Sequence, residues 1–328
     1  MPRQARDHGG DLDRARAVYG GEDWIDLSTG INPVPYPMPD IPQNALTALP
    51  TAENHAALEA AAAAAYGTET GVVPLSGAQA AIQLMPRLRP AGNAAVLSPS
   101  YNEHAAALRT QGWSVIEAQD LPALEGADLA VVVNPNNPDG RAWAPDALER
   151  LAARVGLLVV DESFADPHPA LSLCPRLHDL GEAALVMRSF GKFYGLAGLR
   201  LGFAMGGPRT LDRLRDLAGP WAVSGPAIVA GRAGLRDSDW QAATRARLAR
   251  DAARLDALAD AAGWSLIGGT ALFRSYETGD AAAARDRLAR SGIWTRAFPY
   301  SRGWLRLGLP GTEAAWLSLA RALPRGRK

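Results

Sequence analysis

The chain has 328 residues, 48% of them hydrophobic, and its 34 Lys and Arg residues balance 34 Asp and Glu residues. One compact core rarely holds such a length, so we expect two lobes, and zero formal net charge argues against a nucleic-acid partner. A single cysteine excludes an internal disulfide and fits a reducing compartment, so a cytoplasmic protein is expected. The first residues carry no secretory signal, and no apolar run is long enough to span a membrane.

The N-terminal residues 1–44 predict an extended arm that packs on the C-terminal domain. The run from Gly30 to Pro37 contains three prolines, whose fixed φ and missing donors exclude a regular helix. Residues 53–66 carry an alanine run and predict a helix that ends near Gly67.

The middle of the chain predicts a large α/β domain over residues 45–218. Helical patterns at 77–88, 102–111 and 145–155 alternate with short apolar runs, several of which show no polar alternation. Such runs suit strands of a mainly parallel sheet that is covered on both faces. The seven predicted strands are Gly71–Leu75, Ala94–Leu97, Ser114–Glu117, Leu129–Val133, Leu157–Val160, Ala184–Arg188 and Leu199–Met205.

Residues 219–328 predict a smaller α+β domain. A helix is expected at 210–218, at the end of the large domain, and another over 226–262, broken near Asp237–Asp239. The pattern then predicts a strand (264–276), a helix (280–291), two strands (293–298 and 303–308) and a final helix (312–323).

The most informative motif is Ser189-Phe190-Gly191-Lys192, which is followed by Arg200 in a glycine-rich segment. Glycines let the backbone turn tightly and approach a ligand. A lysine in a turn is usually a solvated surface residue, but one flanked by Ser189 and Arg200 indicates an amine held beside a phosphate.

Two further motifs follow predicted strands. Asp161 ends the strand before Glu162, where a carboxylate serves either as a helix N-cap or as a ligand group at the carboxyl edge of a parallel sheet. The string Asn134-Pro135-Asn136-Asn137-Pro138-Asp139-Gly140 is a turn by composition, although its full length is more specific than a generic turn.

Three weaker signals complete the pattern. Gly77 lies between a strand and a helix, where free N–H groups bind phosphate. Tyr101 follows a strand and belongs either to the core or to a ring-stacking position. Arg306 alternates with leucines on a predicted strand. It is therefore either an exposed strand residue or a buried residue that binds a carboxylate.

Taken in this order, the motifs resemble the fold-type I enzymes that depend on pyridoxal 5′-phosphate (PLP), the aspartate-aminotransferase superfamily. The resemblance covers roughly residues 24–310 and implies a large domain with a mainly parallel seven-stranded sheet and a smaller C-terminal α+β domain. It implies PLP as the cofactor, no metal, and a homodimer.

The resemblance also implies residue roles. Lys192 matches the lysine that bonds the cofactor and later transfers a proton, Asp161 the partner of the pyridine nitrogen, Asn137 the donor to the phenolic oxygen and Tyr101 the stacking ring. The phosphate cup corresponds to Gly77, Ala78, Gln79, Ser189 and Arg200. Arg306 matches the clamp on the substrate carboxylate, over which the Gly30-Ile31-Asn32 loop closes.

The sequence departs from the family at two positions. Many relatives carry tyrosine where this chain has Phe164, which leaves Asn137 alone on the phenolic oxygen. Many also carry a Tyr-Pro pair that reaches the cofactor phosphate of the neighbouring subunit, and here the matching pair is Leu49-Pro50.

The N-terminal segment narrows the resemblance. The opening His8-Gly9-Gly10-Asp11-Leu12 and the later Ser28-Thr29-Gly30-Ile31-Asn32-Pro33 are similar to the threonine-phosphate decarboxylases of cobalamin biosynthesis. That resemblance implies conversion of L-threonine O-3-phosphate, a phosphorylated amino acid, to (R)-1-amino-2-propanol O-2-phosphate and carbon dioxide. His8, Asn32, Arg296 and Arg302 are candidates for binding the substrate phosphate. The alternatives are an aminotransferase of the histidinol-phosphate type and a PLP-binding regulator without activity.

Overall fold

The computed structural model describes residues 8–324, so the first seven residues of the predicted arm lie outside the described part. The chain forms two compact units. The large unit consists of Pro35–Asn137 and Arg141–Gln241, and the small unit of residues 8–34, Pro138–Gly140 and residues 242–324. The sequence placed the boundaries at residues 44 and 218, and that division stays a prediction.

The strands follow one another along the chain in short segments. They are β1 (Ile25–Asp26), β2 (Gly71–Leu75), β3 (Asn93–Leu97), β4 (Ser114–Ala118), β5 (Leu129–Val133), β6 (Leu158–Asp161), β7 (Ala184–Ser189), β8 (Gly202–Gly206), β9 (Ser265–Thr270), β10 (Phe273–Glu277), β11 (Ile293–Trp294), β12 (Arg296–Ala297) and β13 (Trp304–Gly308).

The α-helices alternate with most of these strands. They are α1 (Leu12–Tyr19), α2 (Gln43–Thr47), α3 (Ala52–Tyr66), α4 (Ala78–Leu84), α5 (Glu103–Thr110), α6 (Pro145–Ala152), α7 (Leu177–Leu180), α8 (Phe190–Phe193), α9 (Pro208–Ala218), α10 (Gly225–Arg236), α11 (Ser238–Ala261), α12 (Ala281–Ala289) and α13 (Glu313–Ala322). No helix among residues 8–324 is both long and apolar enough to cross a membrane.

The large unit is built on the predicted seven-stranded sheet, in the order β2-β8-β7-β6-β5-β3-β4. Strand β8 is antiparallel to both its neighbours, and the other pairs are parallel. Every residue of β5, β6 and β7 is buried, which explains why these strands lack polar alternation. The predicted fold class is therefore confirmed.

Local signals set the helix ends that the sequence predicted. Thr51 and Asn54 form a reciprocal capping box at the start of α3, and Gly67 ends that helix in the left-handed conformation. The break expected near Asp237–Asp239 separates α10 from α11. Ser224 caps α10 through a hydrogen bond from the N–H of Ala227.

The small unit contains the four-stranded sheet β12-β13-β10-β9, whose strands pair antiparallel. A separate two-stranded parallel pairing joins β1 to β11, so residues 25 and 26 of the predicted arm pair with Ile293 and Trp294. The aromatic rings of Tyr19, Trp24 and Trp294 pack around this pairing, with centroids 6.2–6.3 Å apart.

Three sequence expectations about strands are corrected. The strand expected over 264–276 is the hairpin β9–β10, whose two-residue connection Ala271–Leu272 contains no Gly, Pro, Asn or Asp to signal a turn. The strand expected over 293–298 is two short strands. The strand expected from Leu199 begins at Gly202, because residues 197–199 form a 3₁₀ turn and Arg200 adopts φ +56°.

Candidate active site

The predicted cofactor residues of the large unit follow neighbouring strands. Strands β3, β5, β6 and β7 run parallel, so their carboxyl ends share one edge of the sheet. Asp161 and Ser189 are the last residues of β6 and β7, and short loops carry Tyr101 and Asn137 beyond β3 and β5. This edge is where open α/β sheets bind ligands.

The side chain of Asp161 is held by two neighbours. Its Oδ2 lies 2.8 Å from Nε2 of His104, and its Oδ1 accepts hydrogen bonds from the N–H and the hydroxyl of Ser163 at 2.9 and 2.5 Å. His104 is completely buried on α5, and its Nδ1 has no hydrogen-bond partner among the described residues. The aspartate is therefore fixed in orientation by groups on α5 and on the loop after β6.

These contacts set the charge of Asp161. Burial by itself raises the pKa of a carboxyl group, because it disfavours the ionised form. The hydrogen bond and the charge of His104, together with the hydrogen bonds from Ser163, outweigh burial and hold the pKa of Asp161 below its ordinary value. Asp161 is therefore an ionised carboxylate at the edge of the sheet at neutral pH.

Tyr101 and Gln79 are joined by a hydrogen bond, from the phenol hydroxyl to Oε1 at 3.2 Å. Nε2 of Gln79 donates to the buried carboxylate of Glu103 at 3.1 Å. Because Glu103 can only accept when ionised, this bond fixes which end of the Gln79 amide faces Tyr101. The amide therefore positions the Tyr101 ring, and the backbone N–H of Gln79 lies in the first turn of α4.

The guanidinium of Arg200 lies against Gly77 at the start of α4. Gly77 has φ +80°, and a Cβ atom there would lie 2.8 Å from Nη2 of Arg200. Arg200 is the one non-glycine residue of the described chain with positive φ. Strained conformations of this kind persist where the surrounding structure imposes them, and they cluster at functional sites.

Lys192 lies on the short helix α8, directly after β7 and Ser189. It is half-buried, and its Nζ lies 5.6 Å from the centroid of the Phe164 ring. Phe164 therefore packs near the lysine at the position where many relatives of the resembled family carry a tyrosine.

The turn that carries Asn137 is held in place by its neighbours. Nδ2 of Asn136 donates to the carbonyl of Pro99, and Nδ2 of Asn134 donates to the carbonyls of Trp143 and Leu171. Asn137 itself is buried. The seven-residue string is thus a fixed turn at the sheet edge.

A buried ion pair lies next to Asp161 in sequence. Nη2 of Arg188 is 2.9 Å from Oε2 of Glu162, which also accepts from the hydroxyl of Ser172. Cys174 has no exposed surface, and burial with the nearby charge of Glu162 raises its pKa to about 12. A thiol held in this form is a poor nucleophile.

Arg306 is buried in the small unit, on β13. Its Nη2 donates to the carbonyl of Ser28 at 2.6 Å, and its guanidinium carbon lies 5.1 Å from the Phe273 ring centroid. Arg296 is its direct partner across β12 and β13. Residues paired directly across antiparallel strands point to the same face, so two arginines lie side by side there.

Asn32 is also buried in the small unit, and Arg247 orients it. Oδ1 of Asn32 accepts from Nη2 of Arg247 at 2.6 Å and from the N–H of Val34 at 3.1 Å. Because both partners can only donate, the amide is oriented with its NH₂ group on the other side. The orientation of Asn32 therefore depends on Arg247.

Gly9 and Gly10, the two glycines after His8, lie against Ser28, whose carbonyl also accepts the hydrogen bond from Arg306. The N–H of Gly10 donates to Oγ of Ser28 at 2.7 Å, and a Cβ atom at Gly9 would overlap the Ser28 carbonyl oxygen. The Ser28 hydroxyl donates in turn to Asp26. The His-Gly-Gly opening is thus explained by a close approach of two backbones, which brings His8 to the segment that Arg306 contacts.

Several residues that support the candidate residues of the large and small units were not predicted from the sequence. His104, Ser163 and Glu103 support the large-unit residues, and Arg247 supports Asn32. The spacing of Tyr101 and His104 at i and i+3 around the start of α5 was an available signal, since such residues share a helix face. Arg247 lies 215 residues from Asn32 and left no local signal.

The chain was compared with known proteins. Residues 22–323 match the family model described as aminotransferase class I and II. The chain belongs to the aminotransferase class I and II family. It is 46% identical to proteins named threonine-phosphate decarboxylase from Pseudomonas aeruginosa and from a Sinorhizobium species, over 97% of this chain and of each relative. A protein named histidinol-phosphate aminotransferase from Mycobacterium bovis is 32% identical over 75% of this chain and 70% of its own.

Solved structures show the same fold. The histidinol-phosphate aminotransferase of Sinorhizobium meliloti, in complex with pyridoxal 5′-phosphate, has a TM-score of 0.83 at 22% identity and covers 99% of this chain and 97% of its own. The L-threonine-O-3-phosphate decarboxylase of Porphyromonas gingivalis has a TM-score of 0.75 at 19% identity, over 90% of this chain and 97% of its own.

Proposed function

We propose that the protein is a PLP-dependent decarboxylase that converts L-threonine O-3-phosphate to (R)-1-amino-2-propanol O-2-phosphate and carbon dioxide, in cobalamin biosynthesis. The observation that carries this proposal is the 46% identity to two threonine-phosphate decarboxylases, which extends over 97% of the chain. The aminotransferase relative is less similar and matches a shorter part of the chain.

The large unit fits the cofactor. The close approach of the Arg200 guanidinium to Gly77, which leaves no room for a Cβ atom, suits a phosphate group beside the first turn of α4. When bound, PLP provides a ring that accepts the electron pair released at the substrate Cα. Asp161, ionised and held by His104, would pair with the ring nitrogen, Tyr101 would stack on the ring, and Asn137 would donate to the phenolic oxygen.

Lys192 is the proposed covalent anchor and proton carrier. It lies on α8 next to Ser189, and its Nζ would hold the proton that is delivered to Cα after carbon dioxide leaves. Phe164 packs near this amine and has no hydroxyl to donate. Asn137 is therefore the proposed sole donor to the phenolic oxygen of the cofactor.

The small unit supports recognition of an anionic substrate. Arg296 and Arg306 are direct cross-strand partners, and like charges in that arrangement repel unless an anion neutralises them. We assign the substrate carboxylate to Arg306, with the Gly30-Ile31-Asn32 loop beside it. The substrate phosphate is assigned to donors among Asn32, Arg296, His8 and Arg302, of which Asn32 is oriented by Arg247.

The bond that breaks at Cα depends on how these residues hold the substrate. Decarboxylation requires the carboxylate to leave perpendicular to the ring, whereas transamination requires the hydrogen in that place. Arg306 is the group that would fix the carboxylate direction, because it is buried and anchored to Ser28. We further propose a cytoplasmic homodimer, which the exposed apolar side chains of Leu46, Leu49 and Trp221 in the large unit support.

The test is to incubate the PLP-loaded protein with L-threonine O-3-phosphate and no keto acid, and to measure carbon dioxide and aminopropanol phosphate. Repeated release of both in equal amounts is expected. Amino transfer from histidinol phosphate to 2-oxoglutarate, without carbon dioxide release from threonine phosphate, would instead establish the aminotransferase alternative. A Lys192→Ala variant serves as the inactive control in both assays.

A further inference from the structure

A cavity of about 860 Å³ in the small unit has basic walls, and the proposed reaction accounts for only two of its basic residues, His8 and Arg302, as candidates for the substrate phosphate. It is lined by residues before and within α1, by the start of α12, and by the turn between β12 and β13. Its basic side chains are His8, Arg14, Arg285 and Arg302. The volume lies within the roughly 300–1,000 Å³ of small-molecule sites.

The three arginines of the cavity have no ion-pair partner among residues 8–324. This contrasts with other arginines of the small unit, which pair with carboxylates: Arg16, Arg247, Arg254, Arg274 and Arg290. The three arginines around the cavity are therefore not neutralised by an ion pair within the described residues.

Arg285 is the clearest example of a cavity arginine without a carboxylate partner among the described residues. Its Nε is buried and has no hydrogen-bond acceptor within the described chain, and its guanidinium lies 5.7 Å from the Trp294 ring centroid. The adjacent carboxylate of Asp286 is occupied, because it pairs with Arg290 at 2.8 Å and accepts from the hydroxyl of Tyr19. A buried donor without an acceptor is costly, and a bound anion would satisfy it.

The two carboxylates of the cavity are already in use. Asp11 caps α1 by accepting from the N–H of Arg14, and Asp280 caps α12 by accepting from the N–H of Ala283. Three arginines against two aspartates leave one formal positive charge, 3 − 2 = +1. The two helix starts add roughly half a charge each. The resulting total of about two positive charges matches a phosphate monoester, which carries about −1.5 to −2 at neutral pH.

We propose that this cavity binds a phosphate monoester through Arg14, Arg285 and Arg302. The site is separate from the proposed carboxylate clamp, because neither Arg306 nor Asn32 is among the residues that the structure shows lining the cavity. His8 lines it and also stands next to the Gly9–Ser28 contact. The ligand has two possible sources, the phosphorylated substrate or product of the enzyme itself and an unrelated phosphorylated metabolite.

The test is a calorimetric titration of the PLP-loaded protein with glycerol 3-phosphate, which has no amine and cannot react with the cofactor. Variants Arg302→Gln and Arg285→Lys probe the cavity. Arg290→Gln is the matched control, since Arg290 follows the C-terminal end of the same helix, pairs with Asp286, and does not line the cavity. Thermal unfolding of each variant checks that the fold is retained.

Binding that weakens at least tenfold in Arg302→Gln, and remains unchanged in Arg290→Gln, is the expected result. Equal binding in the wild type and in Arg302→Gln and Arg285→Lys would overturn the proposal. The KM for threonine phosphate then identifies the source: an increase in Arg302→Gln points to the substrate itself, and an unchanged KM points to another monoester. Because binding is read as heat, the result does not depend on whether the protein decarboxylates threonine phosphate.

Discussion

His104 Nε2 lies 2.8 Å from Asp161 Oδ2, and neither side chain has appreciable contact with solvent. A hydrogen bond to a buried charged group is among the stronger ones in a protein. The imidazole therefore supports the carboxylate that is proposed to pair with the cofactor ring nitrogen, although it lies 57 residues away along the chain.

Replacing His104 by Leu is expected to lower kcat by about 10- to 100-fold, because a hydrogen bond to a charged group contributes about 1.5–3 kcal/mol. KM should change little, since His104 would not touch the substrate. The pH at which the absorption spectrum of the bound cofactor changes should shift as well, because the charge of Asp161 is no longer supported. His104→Gln, which keeps a donor, should recover part of the loss, and an unshifted spectral titration in His104→Leu would contradict a positioning role.

The Gly77→Ala variant is expected to bind PLP at least tenfold more weakly. Its Cβ would lie 2.8 Å from Arg200 Nη2 and would push away the guanidinium that is proposed to bind the phosphate. Gly112→Ala is the matched control, because Gly112 also has a left-handed φ, +84°, but has no atom within 4 Å of the added Cβ. Both variants should lose about 1–2 kcal/mol of stability from the backbone conformation. Cofactor affinity is measured by fluorescence titration, and equal affinities would argue against the phosphate site.

Replacing Arg247 by Ala is expected to raise KM for threonine phosphate about tenfold and to leave kcat within a factor of about two, because one lost orienting hydrogen bond is worth about 1.5 kcal/mol. The Asn32 amide would lose the donor that fixes its orientation. Arg254→Ala removes an ion pair from the same helix without contact to Asn32, and should leave both constants unchanged. A fall in kcat at constant KM would place Arg247 in a different role.

The acid stability of the protein should depend on Asp161. The folded-state pKa of this carboxyl lies below its unfolded value, so its ionised form contributes stability above the unfolded pKa of about 3.9. That contribution is lost as pH falls through the lower folded-state pKa. Urea unfolding from pH 6 to pH 3 should therefore show the wild type losing stability more steeply below pH 4 than Asp161→Asn. Parallel curves for the two proteins would show that the aspartate is not held in its ionised form.

The seven-stranded sheet was predictable because its central strands are uninterrupted apolar runs. β2 and β5 begin and end at the predicted residues. The β9–β10 hairpin was not predictable from composition, since its turn residues Ala271 and Leu272 are apolar and are not among the residue types that mark turns. In the folded turn, the N–H of Leu272 donates a hydrogen bond to the side-chain hydroxyl of Thr270. This contact depends on the reversal of the chain and leaves no signal in the composition.

Cofactor and substrate residues could be proposed from sequence because motifs mark the ends of strands, and their roles stay predictions. The supporting residues were hidden for physical reasons. His104 lies in a helix whose buried face includes Ala107 and Leu108, so a core position was the simpler interpretation. Arg247 is one of many arginines on α11, and only tertiary structure distinguishes it by placing it against Asn32.

The burial of Cys174 has a practical consequence for labelling. Because this thiol is the single cysteine of the chain, is fully enclosed, and has its pKa raised to about 12, maleimide reagents should not reach it in the folded protein. A cysteine introduced at an exposed position would then be modified alone, without prior removal of the native one. Conversely, modification of Cys174 would report each opening of the large unit, so the rate of thiol labelling measures how often that core unfolds.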